Sequence, residues 1–358
     1  MHRHVAYFVT PHGFGHATRA AAVMAAVQKR DFEVCFHIFT QAPERIFAES
    51  LSGDYVYHDV LTDLGLVQKT PLIADLDASL KRLDVFLPFD TGFVDTLAEG
   101  LRSCVCVCCD IAPLGIVVAK QAGLPSVLIE NFTWDWIYTP LVSEVPGFLR
   151  HIDYLRGVFE AADYHVQTQP ACDVQKGTCV VSPVSRETRQ SREEVREALG
   201  VSKETKAVMI TMGGTPFQYG GDGLLGYEDV CFLLPNSGEV IRRNGHLVHI
   251  PRNSHLFHPD LVNACDAVIS KVGSSTLAEV YWAGVPFGYI PRPSFRESDM
   301  LIPFIEREML GVTIAEGDFD SGAWLAHLSA LFALPRVDRQ EINGADQIAA
   351  FLLCEVIP

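Results

Sequence analysis

Asp266-Ala-Val-Ile-Ser-Lys-Val-Gly-Ser-Ser-Thr-Leu-Ala-Glu-Val-Tyr-Trp-Ala-Gly-Val-Pro-Phe-Gly-Tyr-Ile-Pro291 decides how this chain is read. A short apolar strand ends at Ser270, the turn Gly273-Ser274-Ser275-Thr276 follows, and a helix opens whose first turns carry Thr276 and Glu279. Strand, glycine turn and helix in that order make an anion site. The first N–H groups of a helix have no intrahelical partner, and the positive end of its dipole faces the same way. The hydroxyls add donors, Gly273 permits close backbone approach, and Glu279, one turn further in, is placed to accept from a diol such as a ribose. Gly284 and Pro286 then stop the helix and start the next strand.

The same alternation extends outward in both directions. In the first half, apolar runs at 5–10, 33–40, 105–109, 126–129 and 164–167 read as strands, and the Ala-rich run 17–28 reads as a helix. Such alternation implies right-handed βαβ units on a parallel sheet. A charged stretch, 185–197, interrupts it. Within that stretch Ser191-Arg-Glu-Glu194 is a capping-box start for a helix closing at Gly200. A second series follows, with strands at 207–211, 230–234 and 246–250 and a glycine-rich loop at 213–226. The expected fold class is therefore α/β, two Rossmann-like domains facing across a cleft. They divide at 1–170 and 171–340, with a C-terminal helix at about 341–358 packing back on the first. Ligands in such sheets bind outside the carboxyl ends of the strands.

Bulk properties narrow the function. A chain of 358 residues, 48% hydrophobic and 20% charged, is long enough for two domains of ordinary size. A formal net charge of −16 opposes attraction to nucleic acid or to an anionic bilayer. No transmembrane run of about 18 apolar residues occurs, and the N-terminus leads straight into a strand rather than a signal segment, so a cytoplasmic location is expected. Cys104, Cys106 and Cys108 alternate, which on a strand puts all three on one face and Cys109 on the other. Zinc sets use two-to-four-residue gaps in turning loops, so reduced, buried cysteines and no metal are expected. Asp75-Leu-Asp77, in a helical-looking segment at 72–87, reads as solvated helix surface.

Four further stretches carry chemistry. Thr10-Pro-His12-Gly13-Phe14-Gly15-His16-Ala-Thr-Arg19 closes the first strand with glycines for a tight turn and puts His16 at a helix entrance. A histidine there serves either as a cap or as a general base at neutral pH. The dinucleotide fingerprint is not met, because its third glycine and the acidic residue after the second strand are missing. Asp110 ends the strand at 105–109. Asn131, Trp134 and Asp135 follow the strand at 126–129, a mixture that suits sugar, although packing accounts for a tryptophan equally well. Gly213, Gly214 and Thr215 follow the first strand of the second half, where they either admit a pyrophosphate or simply turn the chain.

With these residues in hand, the sequence resembles the GT-B nucleotide-sugar glycosyltransferases. The opening stretch is similar to their donor-binding segment, including that of the peptidoglycan N-acetylglucosaminyltransferase family. A closer resemblance, to the glycosyltransferase-like N-terminal domain of plant L-arabinokinase, covers nearly the whole chain. It runs through Tyr7-Phe-Val-Thr-Pro-His-Gly-Phe-Gly-His-Ala-Thr-Arg19, Asn131-Phe-Thr-Trp-Asp-Trp-Ile-Tyr138, the helix at 191–200 and Ile342-Asn-Gly-Ala-Asp-Gln-Ile-Ala349. No GHMP-type glycine-serine loop and no Walker P-loop occurs in it.

The resemblance implies a hexosyl- or N-acetylhexosaminyl-transferase, inverting and metal-independent. Its substrate is a nucleoside-diphosphate sugar, a UDP-sugar, and it uses no cofactor. Gly273, Ser274, Ser275 and Thr276 would hold the pyrophosphate, Glu279 the ribose, Phe257 the edge of the base, and Glu297 or Asp299 the sugar hydroxyls. His16 or Asp110 would be the catalytic base, on the acceptor side with His12, Gly13, Phe14, Gly15 and Arg19. The acceptor and the oligomeric state are left open. Two alternatives stand beside this: a nucleotide-sugar sensor without turnover, and a relative of the UDP-N-acetylglucosamine 2-epimerases.

Overall fold

Runs rich in Val, Ile, Cys and Phe alternate with helices along the chain and build two mostly parallel sheets, described here from a computed structural model. It describes residues 3–68, 73–174, 178–213, 224, 226–293 and 295–357. The chain divides into two units by its contacts. Unit 1 is Met1–Ser185, Ser294–Glu297 and Ile342–Pro358, and unit 2 is Arg186–Pro293 and Ser298–Glu341.

In unit 1 the strands are β1 (Arg3–Val9), β2 (Val34–Thr40), β3 (Tyr55–Asp59), β6 (Cys104–Asp110), β7 (Ser126–Glu130), β8 (Tyr164–Thr168) and β9 (Cys179–Val181). They lie in the order β3-β2-β1-β6-β7-β8-β9, every pairing parallel. A two-stranded antiparallel ribbon, β4 (Val67–Gln68) with β5 (Ala74–Asp75), stands apart. The pairing of β9 with β8 carries the first sheet past residue 170, which is why the division falls after Ser185 and not at 170.

Side chains of β1 alternate between two cores, Val5, Tyr7 and Val9 on one face and Ala6 and Phe8 on the other, as expected of a strand covered on both sides. The helix Gly344–Phe351 lies in the first of these cores with the helix Phe14–Arg30, through Ala345, Ile348 and Ala349.

Unit 2 repeats the plan. Its strands are β10 (Lys206–Thr211), β11 (Val230–Pro235), β12 (Arg242–Asn244), β13 (Leu247–Ile250), β14 (Ala267–Lys271), β15 (Phe287–Ile290) and β16 (Gly311–Thr313). They are ordered β12-β13-β11-β10-β14-β15-β16, and only β12 runs antiparallel. The helix Arg192–Ala198 starts at a complete capping box, Ser191 with Glu194, and Gly200 beyond its end has φ +66°.

Two expectations are corrected. Cys104 packs in the core of Cys109, not in that of Cys106 and Cys108, because the β1–β6 register slips by one residue between His4 and Val5. One extra residue in a strand flips everything beyond it to the other face. Asp75 is not helix surface but the N-cap of the helix Leu76–Phe86, accepting from the Ala78 N–H at 3.0 Å. Among the described residues no helix is long and apolar enough to cross a membrane.

The order of the parallel strands reverses between β1 and β6 in the first sheet and between β10 and β14 in the second. In open α/β sheets these switch points, at the carboxyl ends, are where loops part and leave a crevice.

Candidate functional site

The first switch point holds His16, Arg19 and Asp110. Gly13 begins it at φ +78°, a conformation that favours glycine, and the helix Phe14–Arg30 follows at once. His16 and Arg19, three residues apart on that helix, point to one place. Asp110 ends β6 and is fully buried. Arg19 grips it with both prongs, Nε donating to Oδ2 at 2.8 Å and Nη2 to Oδ1 at 2.6 Å. His16 Nδ1 lies 3.2 Å from Asp110 Oδ1 and 3.2 Å from Arg19 Nη2. Just past Asp110, Ile111 is held at φ +55°, an outlier for a β-branched residue, and it bridges back to Val9.

Burial alone would raise the Asp110 carboxyl. The adjoining guanidinium of Arg19 more than offsets this and, with His16, holds it below the usual carboxylate range. Held low in this way, the Asp110 carboxylate is well placed to orient His16.

Arg19 also ties in the next strand end, its Nη1 donating to Asn131 Oδ1 at 2.6 Å and lying 3.4 Å from the Thr168 hydroxyl. Asn131 Nδ2 in turn donates to Glu297 Oε1 at 2.8 Å. Glu297, expected among the donor-sugar ligands, therefore groups with unit 1, whereas Asp299 is exposed on the first turn of the helix Ser298–Glu308 in unit 2.

Trp134 is 1% exposed, between Phe132 and Tyr138, and its indole N–H donates to Asp63 Oδ2 at 2.8 Å. Packing, not a sugar platform, is its role. His12 meets it edge-on, with ring centroids 5.0 Å apart. Phe14 is half-buried against the core beside Arg45, and the Gly15 carbonyl accepts from Thr18 at 2.9 Å. Asp135 is half-buried, 3.7 Å from Arg156, and burial pushes its carboxyl up.

Sequence reasoning missed Asp63. It is 2% exposed and accepts from the Thr10 hydroxyl at 2.6 Å as well as from Trp134. Burial pushes its carboxyl up to about 7, against the pull of those two donors. The only signal was a polar Thr62-Asp63 pair inside the apolar run after β3.

At the second switch point β10 and β14 run side by side, Thr211 opposite Ser270, which brings Gly213 and Gly273 to one edge. Gly214 and Thr215 lie outside the described residues. Gly213 (φ +64°) accepts from Asn236 Nδ2 at 3.0 Å. Gly273 is the N-cap of the helix Ser274–Ala283, extended at φ −167°, with no side-chain cap and open space where a Cβ would project. Ser274 and Ser275 are half-exposed and Thr276 is buried. Among the described residues, no side chain caps the first turn, so its N–H groups are left for a ligand oxygen.

Glu279 differs from expectation. Both its oxygens are engaged within unit 2, Oε2 by His258 Nδ1 at 2.5 Å and Oε1 by Arg186 Nη2 at 3.2 Å. Burial would raise its carboxyl, and His258 with Arg186 outweighs burial and lowers it. A ribose diol would have to share this carboxylate with His258. Phe257, one residue before that histidine, is 7% exposed, its ring faced by Arg186 and Arg189 with guanidinium carbons 4.6 and 4.0 Å from the centroid. The Arg186–Arg189 pair was not foreseen, because those residues read only as part of a charged link.

No family model matches the chain. It is 28% identical, over 98% of its own length, to L-arabinokinase of Arabidopsis thaliana, of which it spans about a third (34%). Among solved structures, Medicago truncatula UGT71G1 complexed with UDP-glucose aligns at TM-score 0.59 and 12% identity, covering 99% of this chain and 95% of the other. The glycosyltransferase SnogD from Streptomyces nogalater aligns at TM-score 0.55 and 17% identity, covering 99% of each. The chain has the GT-B fold.

Proposed function

We propose that the protein is a glycosyltransferase that moves a sugar from a nucleoside-diphosphate sugar, a UDP-sugar, to an acceptor hydroxyl with inversion and without a bound metal. The observation that carries this is the His16–Asp110 contact at the carboxyl edge of the first sheet of a GT-B fold. With its Nδ1 proton donated to Asp110, His16 presents the Nε2 lone pair, which has no hydrogen-bond partner among the described residues. Nε2 takes the proton from the acceptor hydroxyl as that oxygen bonds to the anomeric carbon. The bond from carbon to the diphosphate oxygen breaks, and the electron pair leaves with the diphosphate.

The open N-terminus at Gly273, with the Ser274 and Ser275 hydroxyls, supplies donors for that leaving group, the stabilisation a divalent ion supplies in other transferases. The UDP-glucose held by a protein of the same fold supports the choice of donor.

A second reading has its own support. Arg19 Nη2 also lies 3.2 Å from His16 Nδ1. If it donates there, the imidazole proton sits on Nε2, and His16 becomes a donor to a bound ligand and not a base. The chain then senses a nucleotide sugar without turning it over.

A thermal-shift screen of nucleotide sugars followed by turnover assays separates the two. A donor at 100 times its Kd raises stability by about 2.7 kcal/mol. His16→Ala should then cut transfer by about 10²–10⁴-fold and leave the donor-induced shift intact. Undiminished turnover in that variant removes His16 as base, and binding without turnover on any acceptor selects the sensor.

A further inference from the structure

His4 on β1 and Cys35 and His37 on β2 converge at the amino end of the first sheet. In the parallel register His4 lies opposite Cys35, and Cys35 and His37, two residues apart, share a face. One ligand atom from each lies within 4.8 Å of the other two, and His4 Nδ1 is 3.0 Å from His37 Nε2. A tetrahedral zinc ion, with Zn–N of about 2.0–2.1 Å and Zn–S of about 2.3 Å, holds its ligand atoms roughly 3.3–3.6 Å apart. That spacing falls within the 4.8 Å that already encloses the three ligand atoms.

The surroundings fit as well. His37 turns its second nitrogen, Nδ1, to His58 Nε2 at 3.2 Å, and His58 is stacked on Phe39 with centroids 4.3 Å apart. An outer partner of this kind fixes which nitrogen of a liganding histidine faces the metal. Cys35 is 6% exposed.

We propose that His4 Nδ1, Cys35 Sγ and His37 Nε2 bind a zinc ion, with a water in the fourth position. On binding, the Cys35 S–H bond breaks, its proton passes to solvent and the thiolate bonds to the metal. His4 is five residues, about 17 Å of strand, from the carboxyl end of β1, so this ion ties β1 to β2 and takes no part in the chemistry at His16.

The test uses the full chain with the two exposed cysteines replaced, Cys179→Ser and Cys354→Ser, and Co²⁺ then Zn²⁺ as probes. One equivalent of Co²⁺ should give intense tetrahedral visible bands and a thiolate-to-cobalt charge-transfer band, both erased by one equivalent of Zn²⁺. Cys35→Ser should lose the charge-transfer band, His4→Asn the tetrahedral spectrum, and His58→Phe about 10–100-fold in affinity. Circular dichroism confirms that each variant is folded. If Cys35→Ser does not fold, His4→Asn, at the strand's edge, carries the test alone. No stoichiometric binding in the parent, or a charge-transfer band that survives Cys35→Ser, overturns the proposal, as does a tetrahedral spectrum unchanged by His4→Asn.

Discussion

Arg19→Met probes the centre of the first switch point. The methionine keeps much of the stem volume and deletes the guanidinium, so Asp110 loses contacts of 2.8 and 2.6 Å, and Asn131 loses one of 2.6 Å. Among the described residues, what remains on its side chain is His16 Nδ1 at 3.2 Å. Removing one side of a buried pair leaves an uncompensated charge and costs about 3–5 kcal/mol. For a unit of this size that is a fall in Tm of about 6–20 °C.

The pH dependence is more diagnostic than the size. In the parent, the folded Asp110 carboxyl lies below its unfolded value of about 3.9, so its stabilisation is present above about pH 4 and is lost as pH falls through the folded value. Without Arg19, burial is opposed mainly by His16 and the folded value rises above the unfolded one. The contribution is then full below about pH 4 and is lost as pH rises. The gap between the two proteins should widen from pH 4 to pH 7. Calorimetric melts across that range measure it, and adding Asp110→Asn to Arg19→Met should recover at least about 2 kcal/mol relative to additivity. A gap under about 1 kcal/mol at pH 7, or one that narrows with rising pH, refutes the reasoning.

Ser275→Asp places a carboxylate in the first turn of the helix Ser274–Ala283. It should leave that helix unharmed or about 0.3–1 kcal/mol more stable while weakening nucleoside-diphosphate binding at least about tenfold, read by calorimetric titration. Asp63→Asn removes a group whose folded value, about 7, exceeds its unfolded one of about 3.9. The parent should lose stability from about pH 4 to pH 7, and the variant should show a flatter profile in urea midpoints over that window. Gly284→Ala, at φ +63°, drives its methyl into the Val337 carbonyl and should cost about 2–4 kcal/mol by the same measurement.

What the residues disclosed in advance was mainly local. The Ser191 capping box, the left-handed Gly200 and Gly284 and the strand–turn–helix at Gly273 depend on neighbours within a few positions, and each is present. The two parallel sheets followed from periodicity and order. Pairings made across the chain were not legible. Nothing local to Glu279 announces that His258 and Arg186 engage its two oxygens. Likewise, nothing in Cys109-Asp110-Ile tells that Arg19, 91 residues earlier, grips the carboxylate. The cysteine alternation misled for a related reason, since a single bulge opposite His4 and Val5 depends on the partner strand and not on the strand that carries the cysteines.

The two switch points share one architecture and differ in where the carboxylate sits, and this assigns their ligands. A helix N-terminus attracts whatever negative charge can reach it. At the first, the chain supplies its own anion. Asp110 is held by side chains at the third and sixth positions of the helix Phe14–Arg30, so the field of that end is already answered by a buried carboxylate. Asp110 is matched by Arg19 and His16 as Glu279 is by Arg186 and His258, so the two ends differ in position. Asp110 is held against the third residue of its helix, where a second anion would have to sit beside it. At the second, Glu279 sits a turn and a half along the helix and is matched by Arg186 and His258, while the first turn has no side-chain cap. Among the described residues of unit 2, a diphosphate meets no unmatched carboxylate at that first turn. On these grounds the neutral acceptor belongs with His16 in unit 1 and the anionic donor with Gly273–Thr276 in unit 2. Inorganic pyrophosphate should accordingly protect unit 2 from thermal unfolding and leave unit 1 unprotected. Protection of unit 1 instead would reverse the assignment.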